Sequence, residues 1–302
     1  MSHIYIFSPS SAVRDNTAFK RGIKRLQAQG HQVEVDADAL SSHMRFAGND
    51  ETRLNAIQRA AGSGADIALI SRGGYGLTRL LTQLPYKSIA KAIDKGMQFV
   101  GLSDFTAFQL AVYAKTQRIT WQGPALGEDF GSEGEPDDIM QACFEDLCLE
   151  QGEGTGWRFP AADIAKPVKV NNAVLWGGNL TVLTSLLGTP YFPLIQGGVL
   201  FLEDVGEHPY RVERMLTQLF NAGILQQQKA IVFGQFTSYK LVSHDKGFKL
   251  QTVIDRLRAQ LKLPVLTGLP FGHVPTKVLL PIGAQVDLAT DGRDAFLVWG
   301  HI

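Results

Sequence analysis

Over the first 125 residues of this 302-residue chain, short apolar runs alternate with stretches in which apolar positions recur every three to four residues. The runs HIYIFSP (3–9), HQVEVD (31–36), ADIALIS (65–71) and MQFVGL (97–102) have the length of strands. NTAFKRGIKRLQAQG (16–30), closed by Gly30, ETRLNAIQRAAGSG (51–64), TRLLTQL (78–84) and FTAFQLAVYAK (105–115) have helical spacing. Strands separated by helices of this length need right-handed crossovers, which predicts a parallel sheet. Sites in such sheets form outside the carboxyl ends of the strands, where SPS (8–10), SRGGYG (71–76) and GLSD (101–104) fall.

The pattern changes between Gly127 and Val168. Two stretches rich in glycine and acid, EDFGSEGEPDD (128–138) and EQGEGTGWRFPAADIAKP (150–167), flank one helical pattern, DIMQACFEDLCLE (138–150). From Lys169 the strand-like runs come more densely: KVNNAVLWGGNL (169–180), GGVLFLEDV (197–205), KAIVFGQF (229–236), KVLLPIGAQVDLATD (277–291) and AFLVWG (295–300). Two clear helical patterns lie among them, YRVERMLTQLFNAG (210–223) and LQTVIDRLRAQL (250–261). The chain is also longer than one domain usually is. The expectation is an α/β protein with a parallel-sheet domain over 1–126, an interdomain connection over 127–168 and a β-rich domain over 169–302.

Composition narrows the function classes. Lys plus Arg balances Asp plus Glu at 29 each, which removes any bulk electrostatic case for nucleic acid or an anionic membrane as partner. No run reaches the roughly 18 apolar residues of a membrane span, and the amino-terminal MSHIYIFSPSSAVRDNT has no signal-peptide pattern, so a cytoplasmic location is expected. Cys143 and Cys148 lie five apart on one helical pattern, about 7.5 Å along its axis, too far for a disulfide. No Cys/His spacing matches a zinc site.

Three segments concentrate candidate chemistry. Ser103 stands where an apolar run gives way to a helical pattern, a place that projects a hydroxyl above a sheet beside free backbone N–H groups. The same position suits a simple helix cap. SRGGYG lacks the lysine of a phosphate loop and the spacing of a dinucleotide fingerprint, but adjacent glycines allow a backbone N–H to approach a reacting oxygen. In LFLEDVGEHPYRVERML (200–216), Glu203 ends an apolar run; alternation from Leu200 and Leu202 turns it outward, an acidic turn explains it less well than Asp204 and Glu207, and the local pattern is even between the two readings. A metal site from Glu203, Glu207 and His208 is a minor alternative. His273, in the Gly- and Pro-rich turn of LPFGHVPTK, is a usable general base.

Together SRGGYGLTRLL, VGLSDFTA, LWGGNL, LEDVGEHPYRVERML and TGLPFGH, in this order over nearly the whole chain, closely resemble the murein tetrapeptide L,D-carboxypeptidases. These are serine peptidases of the LdcA family, which also includes microcin-immunity enzymes. The resemblance implies a Rossmann-like amino-terminal domain carrying a nucleophilic serine, here Ser103, and a β-rich carboxy-terminal domain supplying Glu203 and His273. It implies release of the terminal D-alanine from cytoplasmic murein tetrapeptides, a small peptide substrate, with no metal or other cofactor, by a homodimer. One departure from the α/β-hydrolase elbow is Phe105, bulky where that turn carries a small residue.

On that footing His273 is expected to take the Ser103 proton and Glu203 to orient the imidazole. The backbone N–H groups of Asp104 and Gly74 are the expected oxyanion donors, the Asp104 side chain a partner of the helix dipole, and Arg72 a candidate for the substrate carboxylate. A microcin-immunity peptidase, with Phe236 and Tyr239 of QFTSYKLVSHDK facing a nucleobase, and a non-catalytic muropeptide-binding module are the competing readings.

Overall fold

A computed structural model describes residues 1–160 and 167–302 of the chain. The first elements are β1 (His3–Phe7), α1 (Asn16–Ala28), β2 (Gln32–Val35), α2 (Asp50–Gly62), β3 (Ile67–Ile70), α3 (Tyr86–Ile93), β4 (Gln98–Gly101), α4 (Phe105–Thr116), β5 (Thr120–Gln122) and α5 (Asp138–Cys148). Then come β6 (Gly154–Arg158), β7 (Lys169–Asn179), α6 (Leu180–Ser185), β8 (Val199–Val205), α7 (Pro209–Asn221), β9 (Ala230–Thr237) and α8 (Leu250–Gln260). The last are β10 (Val265–Leu266), β11 (Leu280–Ile282), β12 (Gln285–Asp291) and β13 (Asp294–Val298).

Two compact units result. The first comprises Met1–Gly152, Pro190–Pro193 and Pro275–Gly283, and the second Glu153–Thr189, Leu194–Val274 and Ala284–Ile302. These units divide the chain differently from the boundaries read in the sequence. Of the expected connection, 127–152 packs within the first unit, and residues 161–166 lie outside the described residues. The acidic, glycine-rich composition of 128–138 resembles a linker, yet Asp129 and Phe130 there are buried.

The sheet of the first unit has the order β11-β5-β4-β3-β1-β2, parallel throughout except for β11, which pairs antiparallel with β5. Chain direction across the sheet reverses between β1 and β3, so their carboxyl ends open a switch point of the kind where ligands bind in α/β sheets. Helix α4 is buried on every side from Phe105 to Tyr113, because it lacks a polar stripe. Its Phe105 and Phe108 stack with ring centroids 4.6 Å apart. Burial of each such ring contributes about 1.5–3 kcal/mol.

TRLLTQL does not form the expected α-helix: only Leu77–Arg79 is helical, a single 3-10 turn. A 3-10 turn repeats every three residues, so Leu77 and Leu80 are both buried without an α-helix. The helix of this region is α3, which begins after Pro85.

The run 277–291, read as one strand of the second domain, splits at Gly283, whose φ is 96°. A Cβ there would lie 2.4 Å from the Tyr113 ring. Residues 275–283 accordingly belong to the first unit, where Lys277 Nζ lies 2.6 Å from Asp129 Oδ1, both side chains almost fully buried. Asp129 Oδ2 also accepts the Ala125 N–H at 2.8 Å. Burial pushes the Asp129 carboxyl up while Lys277 pulls it back. Lys277→Met removes the cation and strands the carboxylate. The expected loss is about 3–5 kcal/mol in urea unfolding, with a much smaller loss when Asp129→Leu is added.

The second unit is a seven-stranded sheet, β10-β9-β8-β7-β12-β13-β6. Its first four strands are parallel and the remainder antiparallel, with β7 joining the two halves. β8 lies inside the parallel half and is buried from Val199 to Asp204, covered on both faces as strands of parallel sheets are.

Candidate active site

In the first unit the carboxyl ends of β1, β3 and β4 bring three loops together. Ser103, half-buried, adopts φ = 64°, a left-handed conformation that costs a non-glycine residue about 1–3 kcal/mol. The turn ends on a bond from the Thr106 N–H to the Ser103 carbonyl, 2.9 Å, which starts α4. Phe105 fits because Gly101 makes room: a Cβ on Gly101 would lie 2.8 Å from Phe105 Cδ1 and 2.6 Å from Ile70 Cδ1. The bulky residue is thus accommodated by a small one two positions before the serine.

The SRGGYG loop lies directly against this turn. A Cβ on Gly73 would come within 2.6 Å of Ser103 Cβ and 2.9 Å of Ser103 Oγ. Gly74 has φ = 110°, and a Cβ there would collide with Ser11 Oγ at 2.2 Å. No acceptor among the described residues takes the N–H of Gly74 or of Asp104. Arg72 donates from Nη1 to the Ala12 carbonyl at 3.1 Å, and its Nη2 lies 3.8 Å from Glu128 Oε1.

The Asp104 side chain stands at the N-cap of α4, and its hydrogen bonds go elsewhere. It makes no capping bond to α4 and is almost fully buried, accepting from Ser10 Oγ and, at 2.9 Å, from the Leu77 N–H. Burial pushes its carboxyl above the usual range against those donors.

In the second unit, His273 Nδ1 lies 2.8 Å from Glu203 Oε2. Glu203 is 0% exposed, the opposite of the outward position that alternation gives it. Its other oxygen accepts from Asn179 Nδ2 at 3.1 Å, and the same amide donates to Asp204 Oδ1 at 3.0 Å. Asp204 further accepts the Thr181 N–H and hydroxyl. Burial, and then the neighbouring Glu203 charge, push the Asp204 carboxyl up, while the Thr181 bonds oppose them. The loop reaches Glu203 through Gly272, φ = 140°, where a Cβ would crowd Gln235 O at 2.9 Å and Glu203 Oε2 at 3.2 Å. A carboxylate on Nδ1 fixes the tautomer that leaves Nε2 as the basic nitrogen.

The alternative metal cluster dissolves. His208 pairs with Asp245 at 3.1 Å and Glu207 faces Arg211 at 3.7 Å, while Glu203 is held by Asn179 and His273. Among the described residues no three His, Cys, Asp or Glu side chains are grouped to hold a metal ion. Phe236 belongs to β9 rather than to a loop, its ring 5.6 Å from that of Phe233. Asn179 was not singled out from the sequence although it stands in LWGGNL. Its signal was an amide directly after two glycines; they take φ of 138° and 122°, and Asn179 pairs in register with Glu203 of β8.

Residues 4–123 match the family model described as the LD-carboxypeptidase N-terminal domain, and residues 172–288 that of the C-terminal domain. A relative named a probable murein peptide carboxypeptidase, from Bacillus subtilis, is 29% identical over 91% of this chain and 85% of its own length. The microcin C7 self-immunity protein of Escherichia coli is 25% identical over 95% and 91%. The crystal structure of a muramoyltetrapeptide carboxypeptidase from Oxalobacter formigenes superposes with a TM-score of 0.89 at 38% identity, over 99% of this chain and 98% of that one.

Proposed function

The chain belongs to the LD-carboxypeptidase family, and from that premise we propose that it is a serine-type L,D-carboxypeptidase that releases the terminal D-alanine of murein tetrapeptides. The observation that carries this reading is the His273–Glu203 pair, an imidazole held by a fully buried carboxylate at 2.8 Å. The left-handed turn at Ser103 supports it from the other unit. In this reading His273 Nε2 takes the Ser103 proton as Oγ attacks the carbonyl preceding D-alanine. The N–H groups of Asp104 and Gly74 receive the oxyanion, each such donor typically worth about 10²–10³ in rate. His273 then returns the proton to the departing amine, and water, activated by the same imidazole, hydrolyses the acyl-serine.

Arg72 is assigned to the carboxylate of the substrate, with a cytoplasmic role in peptidoglycan recycling and a homodimeric state as further parts of the proposal. No helix among the described residues is long and apolar enough to cross a membrane. The discriminating experiment compares turnover of murein tri-, tetra- and pentapeptides with that of an aminoacyl sulfamoyl nucleoside. The expected result is D-alanine release from the tetrapeptide at least about tenfold faster than any other cleavage, unchanged by EDTA. Preferential cleavage of the nucleoside compound would assign the chain to microcin immunity, and stoichiometric binding without turnover to a non-catalytic module. Loss of activity in EDTA with recovery on adding zinc would overturn the serine mechanism.

A further inference from the structure

We infer that the Asp104 carboxylate is a positioning group that clamps three loops at the carboxyl ends of β1, β3 and β4 and so holds Ser103 and the Gly74 loop in register. The inference rests on the reading of Ser103 as nucleophile. Asp104 directly follows that serine and is 2% exposed. One of its oxygens, Oδ2, accepts both from Ser10 Oγ, in the loop after β1, and from the Leu77 N–H, which closes the SRGGYG loop after β3. The dipole of the Gly76 N–H and the guanidinium of Arg53 on α2, 0% exposed, add their attraction to this carboxylate.

A buried carboxylate is costly to desolvate unless donors surround it, and a neutral side chain would fill the same place more cheaply. What the carboxylate adds is mutual constraint of segments far apart in sequence: Ser10 and Asp104 are 94 positions apart, and Leu77 and Asp104 27. Two features of the site need such constraint. Ser103 sits in a left-handed conformation that only an over-determined surrounding sustains. Gly73 packs so closely on Ser103 that a shift of that loop passes directly to the hydroxyl. Misplacement of a reacting group by about 1 Å costs about 10²-fold in rate.

Steady-state D-alanine release by the full-length protein, well below its melting temperature, tests the inference. Asp104→Asn and Asp104→Ala are expected to lower kcat about 10²-fold with KM within about threefold, and Ser10→Ala about fivefold to tenfold. Ser10→Ala combined with Asp104→Ala is expected to be no slower than Asp104→Ala alone, because both remove the same clamp. Asp104→Asn keeps the side-chain volume, and Ser10→Ala leaves the carboxylate and its Leu77 donor in place, so the test does not depend on the alanine variant folding. Wild-type kcat in Asp104→Asn accompanied only by a lower melting temperature, a change confined to KM, or additive effects of the Ser10 and Asp104 replacements would overturn it. Undiminished turnover by Ser103→Ala would instead overturn the nucleophile assignment on which it rests.

Discussion

Ser103→Ala is expected to lower kcat for D-alanine release by about 10⁴–10⁶-fold, the range over which loss of the nucleophile disables a serine hydrolase. Its stability is expected to stay within about 0.5 kcal/mol of the wild type, since alanine bears the same left-handed strain as serine at φ = 64°. Ser103→Gly is the informative companion. Glycine adopts that conformation without the Cβ penalty, so it should lose the same activity yet gain about 1 kcal/mol in denaturant unfolding. Together the two variants separate the chemical role of the hydroxyl from the strain stored in its backbone. A serine that merely capped α4 would leave turnover intact in both.

The second large effect is expected at Glu203. Glu203→Gln preserves shape, but an amide nitrogen placed against His273 Nδ1 favours the tautomer with the proton on Nε2, which cannot accept from serine. By analogy with the equivalent change in Ser-His-Asp enzymes, kcat should fall about 10³–10⁴-fold with KM nearly unchanged. Stability should hold or rise. Glu203 is a buried charge beside Asp204, both sharing the Asn179 amide, and removing one of two neighbouring carboxylates relieves the repulsion that helps push the Asp204 carboxyl up. Activity measured alongside urea unfolding checks both halves. A parallel fall in stability and activity would make Glu203 a structural anchor instead.

Much of the first unit was legible in the sequence because its strands are continuous apolar runs and its helices mostly have one polar face. β5, only three residues long, is too short to carry a period, and β11 is hidden inside a longer apolar run. Periodicity states that a segment is a strand, never which sheet it joins. Hence the pattern alone places 280–282 in the second domain, although Leu280 and Ile282 pair with Gln122 and Thr120 of β5. At the site, alternation was the wrong guide for Glu203, since a strand covered on both faces buries successive residues alike. The buried ties of Asp104 were invisible for a different reason: its partners, Ser10 and Leu77, come close only once β1, β3 and β4 have assembled. The candidate residues themselves stood at turns marked by glycine, Gly101 before Ser103 and Gly272 before His273, and the structure gives each of these glycines a steric reason.

Rapid quenching of the protein during turnover of a slow tetrapeptide analogue, followed by mass spectrometry of its peptides, tests the central claim most directly. The account predicts a mass increase equal to the acyl part of the substrate on the peptide that carries Ser103, and none on that peptide in Ser103→Ala. An adduct on any other residue, or D-alanine release undiminished in Ser103→Ala, would contradict it.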